Sequence, residues 1–282
     1  MPRPGAGEMI PAMSDTAPDR WHGGRDYESF IGRWSRLVAA EFIEWLAVPS
    51  GRSWLDVGSG TGALAATIMA RAAPASVVGI DRSAEFVAVA GEELDDPRVV
   101  FLVGDAAALP FAAGHMDAVV SALVLNFLPD PEAAVAEWRR VARPGGTVAA
   151  YVWDYAEGMQ PLRAFWDAAG ELSAAARHLD EAVRFPLCDP VRLRTLFVRS
   201  GLTATATRSI DIEARFRDFD DYWTPFLSAV GPAPGYCAAL AEDQRSALRN
   251  LLRERLAPSG AGPIVMNARA FAVRATAPAA RS

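Results

Sequence analysis

The stretch Trp54-Leu55-Asp56-Val57-Gly58-Ser59-Gly60-Thr61-Gly62 constrains this chain more than any other. Trp54, Leu55 and Val57 suit a buried parallel strand. Glycines at alternate positions then let the backbone turn sharply and approach a ligand with no Cβ in the way. From Ala63 to Ala73 the apolar spacing is helical, so the turn meets a helix N-terminus whose first N–H groups lack partners. Nineteen residues after Gly62, the apolar run Val77-Val78-Gly79-Ile80 ends in Asp81. An acid at the tip of a second strand can accept both hydroxyls of a ribose. The glycine turn alone also suits a dinucleotide binder or an empty tight turn. Turn, spacing and acid together point to a bound nucleoside cofactor.

The segments that follow separate the nucleoside cofactors. Val99–Val103 reads as a third strand and leads into Gly104-Asp105-Ala106-Ala107-Ala108-Leu109-Pro110-Phe111. There Asp105 can accept from an adenine amino group while the Ala106 N–H donates to the ring. Met116–Ser121 is a fourth strand, and Pro144-Gly145-Gly146-Thr147 is a turn before a strand from Val148 to Trp153. As an ordered series over roughly residues 25–153, these motifs resemble the class I S-adenosylmethionine-dependent methyltransferases, in particular their small-molecule, type 11-like branch.

The resemblance implies S-adenosyl-L-methionine as cofactor. It places Asp56, Gly58, Ser59, Gly60, Gly62, Asp81, Arg82, Asp105, Ala106 and Leu123 around it. Tyr27 and Arg33 fall where the family sets a tyrosine hydroxyl and an arginine near the amino-acid carboxylate, and arginine's planar donors suit a carboxylate. Tyr27 as a packing residue and Arg33 facing solvent is the plainer alternative. One departure stands out: Ser121-Ala122-Leu123-Val124-Leu125-Asn126-Phe127 carries Asn126 and Phe127 where many relatives have a histidine pair. Histidine-based catalysis therefore does not transfer.

Composition narrows the remaining classes. The chain has 282 residues, enough for one Rossmann-like domain with insertions, and 51% of them are apolar, including eight tryptophans and thirteen phenylalanines. It contains no lysine and carries a net charge of −6, which argues against a phosphate-tracking surface for nucleic acid. The arginine run at residues 139–143 reads as the solvated end of a helix. No membrane span or secretory signal is visible, so a cytoplasmic protein is expected, as a monomer or homodimer. Cys188 and Cys237 match no metal spacing and read as reduced structural thiols, and no metal site is expected.

Alternating strand and helix stretches predict an α/β fold: a Rossmann-like, seven-stranded, mostly parallel sheet with helices on both faces. Residues 1–20 read as a disordered leader, 21–274 as one domain and 275–282 as a frayed tail. A helix over Asp26–Leu46 presents Phe30, Trp34, Leu37, Val38, Phe42 and Leu46 on one face. Two stretches exceed what the sheet needs, near 154–188 and 213–262. The second lies between a sixth strand (Thr203–Ile212) and a last one (Ile264–Val273), with helical patterns around Phe219–Val230 and Tyr236–Leu256 broken by Gly231-Pro232-Ala233-Pro234-Gly235. Both should leave from the carboxyl edge and form a lid over the cofactor sulfur.

Methyl transfer from a sulfonium needs alignment more than covalent help, so acceptor chemistry is sought on the lid side. Trp153-Asp154-Tyr155 ends the fifth strand, making Asp154 and Tyr155 orienting groups, although Asp154 equally suits a cap. In the first insertion Asp167 and Glu171 share a helix face, and His178, Asp180, Glu181 and Arg184 follow closely. Solvated charges are the preferred reading of this group over a metal or acid–base cluster, with His178 retained as a catalytic candidate. Trp153, Trp166, Tyr222 and Trp223 are expected to line the substrate cavity, and Asp218 to cap its lid helix. The expected function is methyl transfer to the oxygen, nitrogen or carbon of a small, partly apolar metabolite, with secondary metabolism as the expected setting. A protein that binds the cofactor without methylating and a nicotinamide-dependent oxidoreductase remain as alternatives.

Overall fold

The structure, a computed structural model, describes residues 32–228, 231–258, 260 and 262–279. Tyr27 and the expected leader lie outside the described residues. The first helix, α1 (Arg33–Leu46), buries Trp34, Val38, Phe42 and Leu46, with Ser35, Ala39 and Ile43 in a parallel row. Leu37, expected on that face, is 49% exposed because it falls outside both i, i+4 rows, one position from the first and two from the second.

Seven strands follow: β1 (Ser53–Val57), β2 (Ser76–Asp81), β3 (Val99–Val103), β4 (Met116–Ala122), β5 (Ala142–Trp153), β6 (Thr203–Phe216) and β7 (Ile264–Thr276). They form one sheet in the order β3-β2-β1-β4-β5-β7-β6. Every pairing is parallel except those of β7, which runs antiparallel to both neighbours. Helix α2 (Ala63–Arg71) follows β1, α3 (Ala84–Glu93) follows β2 and α4 (Pro131–Val141) follows β4. Strand order reverses about β1, so a crevice opens beyond the carboxyl ends of β1 and β4.

The last two strands outrun the others. Trp153 pairs with Ala270 and Ala270 with Ile210, yet β6 continues to Phe216, which pairs with Ile264. A two-stranded ribbon thus projects past the carboxyl edge. At the other end β7 reaches Thr276, and Ala277 exchanges hydrogen bonds with Gly145 and Gly146. The start of the expected tail is therefore pinned by Gly145 and Gly146, which the structure places in an irregular first part of β5 and not in a turn before it.

Beyond Trp153 come α5 (Gln160–Leu172), a 3-10 turn Ala174–His178, α6 (Glu181–Arg184) and α7 (Pro190–Arg199). At the ribbon's tip come α8 (Phe219–Trp223), a 3-10 turn Thr224–Leu227, α9 (Pro232–Ala239) and α10 (Glu242–Leu256). The Gly-Pro-Ala-Pro-Gly run does not break a helix as expected. It begins one, because proline in a first turn forfeits only an N–H that has no helical partner. The two helical stretches pack on each other: Phe165 stacks on Phe226 at 4.4 Å, Trp166 meets Tyr236 at 5.4 Å, and the Tyr222 hydroxyl donates to the Pro161 carbonyl at 2.9 Å.

Candidate active site

The glycine turn is tied to β2. The N–H groups of Gly58 and Ser59 both donate to the Ile80 carbonyl, at 2.7 and 3.0 Å. The Asp81 carboxylate accepts from Gly60 N–H and Ser83 N–H, each at 2.9 Å. A carboxylate oxygen has two acceptor positions, so Asp81 keeps capacity for a ligand's hydroxyls. At Gly58, with φ +73°, a Cβ would fall 2.4 Å from a Val124 methyl, and only glycine fits. At Gly60, with φ +53°, nothing lies within 4 Å of that position, which leaves the backbone open to a ligand. Gly62, at φ +88°, starts α2.

Asp56 is fully buried, and among the described residues neither carboxylate oxygen has a hydrogen-bond partner; the buried Ser59 hydroxyl lacks one too. Burial, followed by the charge of Asp81, pushes the Asp56 carboxyl up to about 8, while the Ala65 N–H, outside hydrogen-bonding geometry, pulls the other way. Unpaired buried polar atoms are rare in folded proteins. Here they flank an open turn, and their donor and acceptor set fits a nucleoside bearing an amino acid. Leu123, at φ +60°, is held in left-handed backbone by its N–H bond to the Tyr151 carbonyl at 2.9 Å, setting Val124 against Gly58.

Asp105 stands next to this group, since the Gly104 N–H donates to the Asp81 carbonyl at 2.9 Å. Its exposed carboxylate accepts from Ala107 N–H at 2.9 Å. The Ala106 carbonyl accepts from Trp138 Nε1 at 3.0 Å. Arg82 is exposed. Arg33 stands apart: its Nη1 lies 3.3 Å from Asp221, and its guanidinium covers the rings of Trp34 and Phe216 at 4.6 and 5.1 Å. Those neighbours belong to α1, the ribbon and α8, and none belongs to the glycine turn.

On the β4–β5 side, Trp153 is buried on the face of Tyr151, and its Nε1 has no partner. Asp154 is a cap. Its Oδ1 accepts from Glu157 N–H at 3.1 Å, its carbonyl accepts from Met159 N–H at 2.8 Å, and Oδ2 lies 3.6 Å from Arg269 Nη1. Tyr155 packs on Phe185 at 5.8 Å, and Phe185 meets Phe127 edge-on at 4.8 Å, seating the first insertion on the residues after β4. Beside Phe127, both carboxamide atoms of Asn126 are buried without a partner. Sequence reasoning registered Asn126 only as a departure; its position after β4 was the available signal.

The expected cavity-lining aromatics of the two insertions pack on other side chains. Trp166 Nε1 donates to Glu181, Tyr222 is held by Pro161, and Trp223 lies 6.2 Å from Phe226. Nor are the charges of the first insertion all solvated. Glu181 is 2% exposed, and burial pushes its carboxyl up to about 7. Asp180 caps α6 and pairs with Arg163 at 2.6 Å. His178 is exposed and makes no hydrogen bond or ion pair among the described residues. Cys188 and Cys237 are free, buried thiols. Among the described residues no cluster of three or more His, Cys, Asp or Glu is arranged to hold a metal, and no helix is long and apolar enough to cross a membrane.

The Methyltransf_11 family, described as a methyltransferase domain, matches residues 55–150. A demethylmenaquinone methyltransferase from Roseiflexus sp. (strain RS-1) is 31% identical over 189 residues, covering 62% of this chain and 78% of that protein. The ubiquinone/menaquinone biosynthesis C-methyltransferase UbiE of Dinoroseobacter shibae is 40% identical over 117 residues, 39% of this chain and 46% of that one. The chain thus spans most of the first relative and about half of the second. A Haemonchus contortus phosphoethanolamine N-methyltransferase 2, solved with phosphomonomethylethanolamine and S-adenosylhomocysteine, shares the fold at a TM-score of 0.57 and 17% identity, over 90% of this chain and 58% of that one.

Proposed function

This chain belongs to the class I S-adenosylmethionine-dependent methyltransferases, and we propose that its acceptor is a small, partly apolar metabolite methylated on oxygen, nitrogen or carbon beneath the two packed insertions. The observation that carries this reading is the set of unpaired buried atoms on Asp56 and Ser59 beside the open backbone of Gly60. When bound, S-adenosylmethionine supplies a methyl already activated by its sulfonium, with a leaving group that departs neutral.

The chain's own residues then bind, orient and keep water out. Asp81, with the exposed Arg82 beside it, takes the ribose end, and Asp105 and Ala106 take the adenine. Asp56, Ser59, Leu123 and the open backbone of the glycine turn hold the amino-acid end. Asn126 and Trp153, each with unpaired buried polar atoms after β4 and β5, present hydrogen-bonding groups to the acceptor. Asp154 and Tyr155 position the floor of the first insertion above them. Trp166, Tyr222 and Trp223 exclude water from above, so that alignment supplies most of the rate. A planar aromatic acceptor suits such a lining, and the Roseiflexus relative, named for a quinone substrate, supports one.

The test is to incubate the protein with S-adenosylmethionine and a panel of phenols, quinols and amines and to look for S-adenosylhomocysteine. Asp81→Ala should weaken S-adenosylhomocysteine binding by about 1–3 kcal/mol through lost charged hydrogen bonds. Unchanged affinity in calorimetry would remove the ribose role.

A further inference from the structure

Arg33 has two edges in different states. One edge, through Nη1, faces both oxygens of Asp221 at 3.3 and 3.4 Å. The other edge, formed by Nε and Nη2, is buried and has no hydrogen-bond partner among the described residues. That edge carries two roughly parallel N–H groups, the geometry that engages both oxygens of a carboxylate. Leaving such donors buried and unpaired is costly, so their persistence beside an otherwise well-packed layer needs an explanation.

The surroundings hold this edge ready. Trp34 and Phe216 lie against the guanidinium, and Phe216 in turn meets Trp34 at 5.0 Å and Tyr222 at 5.2 Å. Asp221 is itself fixed, accepting from Arg217 N–H at 3.0 Å while its own N–H donates to Asp218 at 2.8 Å. The Arg217 guanidinium also approaches Asp221, at 3.6 Å, so two arginines share that carboxylate. The unpartnered edge of Arg33 is shaped for an anion.

Two anions are available to a methyltransferase: the amino-acid carboxylate of the cofactor and an acid on the acceptor. The contacts favour the second. Among the described residues, the ion-pair and ring partners of Arg33 come from α1, the ribbon and α8, where the aromatic layer lies, whereas the groups suited to the cofactor gather at the ends of β1, β2 and β3. We propose that the Nε/Nη2 edge of Arg33 clamps a carboxylate of the acceptor, and that the acceptor is therefore an acid. The proposal rests on the methyl-transfer reading for the word acceptor, but the anion site stands on its own geometry.

Calorimetry with three probes tests it: S-adenosylhomocysteine, 5′-methylthioadenosine, which lacks the amino-acid end, and benzoate added to the S-adenosylhomocysteine-saturated protein. Arg33→Gln removes the charge, and Arg33→Lys keeps the charge and the Asp221 pairing while losing the two-pronged edge. Both variants should bind the two nucleosides within about twofold of the parent and bind benzoate at least about tenfold more weakly. Loss of S-adenosylhomocysteine affinity with 5′-methylthioadenosine unaffected would assign the edge to the cofactor and overturn the proposal. So would benzoate binding that is equal in all three proteins or absent from the parent. A parent that binds benzoate but no S-adenosylhomocysteine would instead overturn the cofactor reading while leaving the anion site intact.

Discussion

The ends of β1, β2 and β4 and the two packed insertions treat their uncharged and acidic side chains in opposite ways. Around the glycine turn, Asp56, Ser59 and Asn126 keep buried atoms without partners among the described residues. In the aromatic layer, Trp166 donates to Glu181 and Tyr222 to Pro161, the rings stack on each other, and the unpartnered buried atoms are guanidinium nitrogens of Arg33, Arg163 and Arg253. A surface built to receive a polar ligand carries unmet hydrogen bonds that the ligand completes, whereas a cover gains stability by satisfying itself. Damage to the packed insertions should therefore cost stability and turnover while sparing the cofactor.

Phe165→Ala probes this with the largest expected effect. Phe165 is fully buried between Trp166, Phe226 and Tyr236. Its loss should destabilise the protein by about 3–5 kcal/mol, with the spread set by how far the layer collapses. Urea unfolding measures this, and calorimetry should find S-adenosylhomocysteine affinity within about threefold of the parent, since no cradle contact is removed. A parallel fall in cofactor affinity would mean that cover and cradle form one unit.

Asp56→Asn tests the other half. The Asp56 carboxyl sits near 8 in the folded protein against an ordinary value of 3.8, so the folded state favours the protonated form. Stability linked to this group is complete below about pH 4 and is lost as pH rises toward 8, because over that range only the unfolded chain releases the proton freely. Asparagine does not titrate. The variant should therefore gain on the parent between pH 5 and pH 8.5, by an amount on the order of 3 kcal/mol, read from unfolding curves at the two pH values. A constant difference would show that Asp56 is ionised and paired, and the cradle would lose its most costly unmet group.

The two regions also differ in how plainly they are written. The cradle is local: Gly58 to Asp81 spans one strand-turn-helix-strand unit, and each position carries its backbone or hydrogen-bonding need in its own identity. The sheet followed from apolar runs at regular spacing, and β6 and β7 merely extend past the expected limits Ile212 and Val273. The cover depends on pairings across long separations. Nothing in Phe165 or Phe226 alone says that they stack, and nothing in Glu181 says that Trp166 will bury it. Arg33 shows the same limit. Its residue type announces an anion, but only the fold reveals Asp221 and Phe216 as its company.

The smallest expected effect belongs to His178, which stood out in the sequence because the chain has only three histidines. Its neighbour in sequence, Glu181, is buried against Trp166, while His178 faces solvent on the turn Ala174–His178. A proton acceptor must reach the acceptor molecule at hydrogen-bond distance, and an exposed side chain on the outer surface of a self-packed cover lacks that access. His178→Gln should shift stability by less than about 0.5 kcal/mol and leave turnover and its pH profile unchanged. The measurement is a pH–rate curve for any acceptor found in the panel. A turnover loss beyond about tenfold, with S-adenosylhomocysteine affinity intact, would place chemistry in the cover and erase the division of labour between it and the cradle.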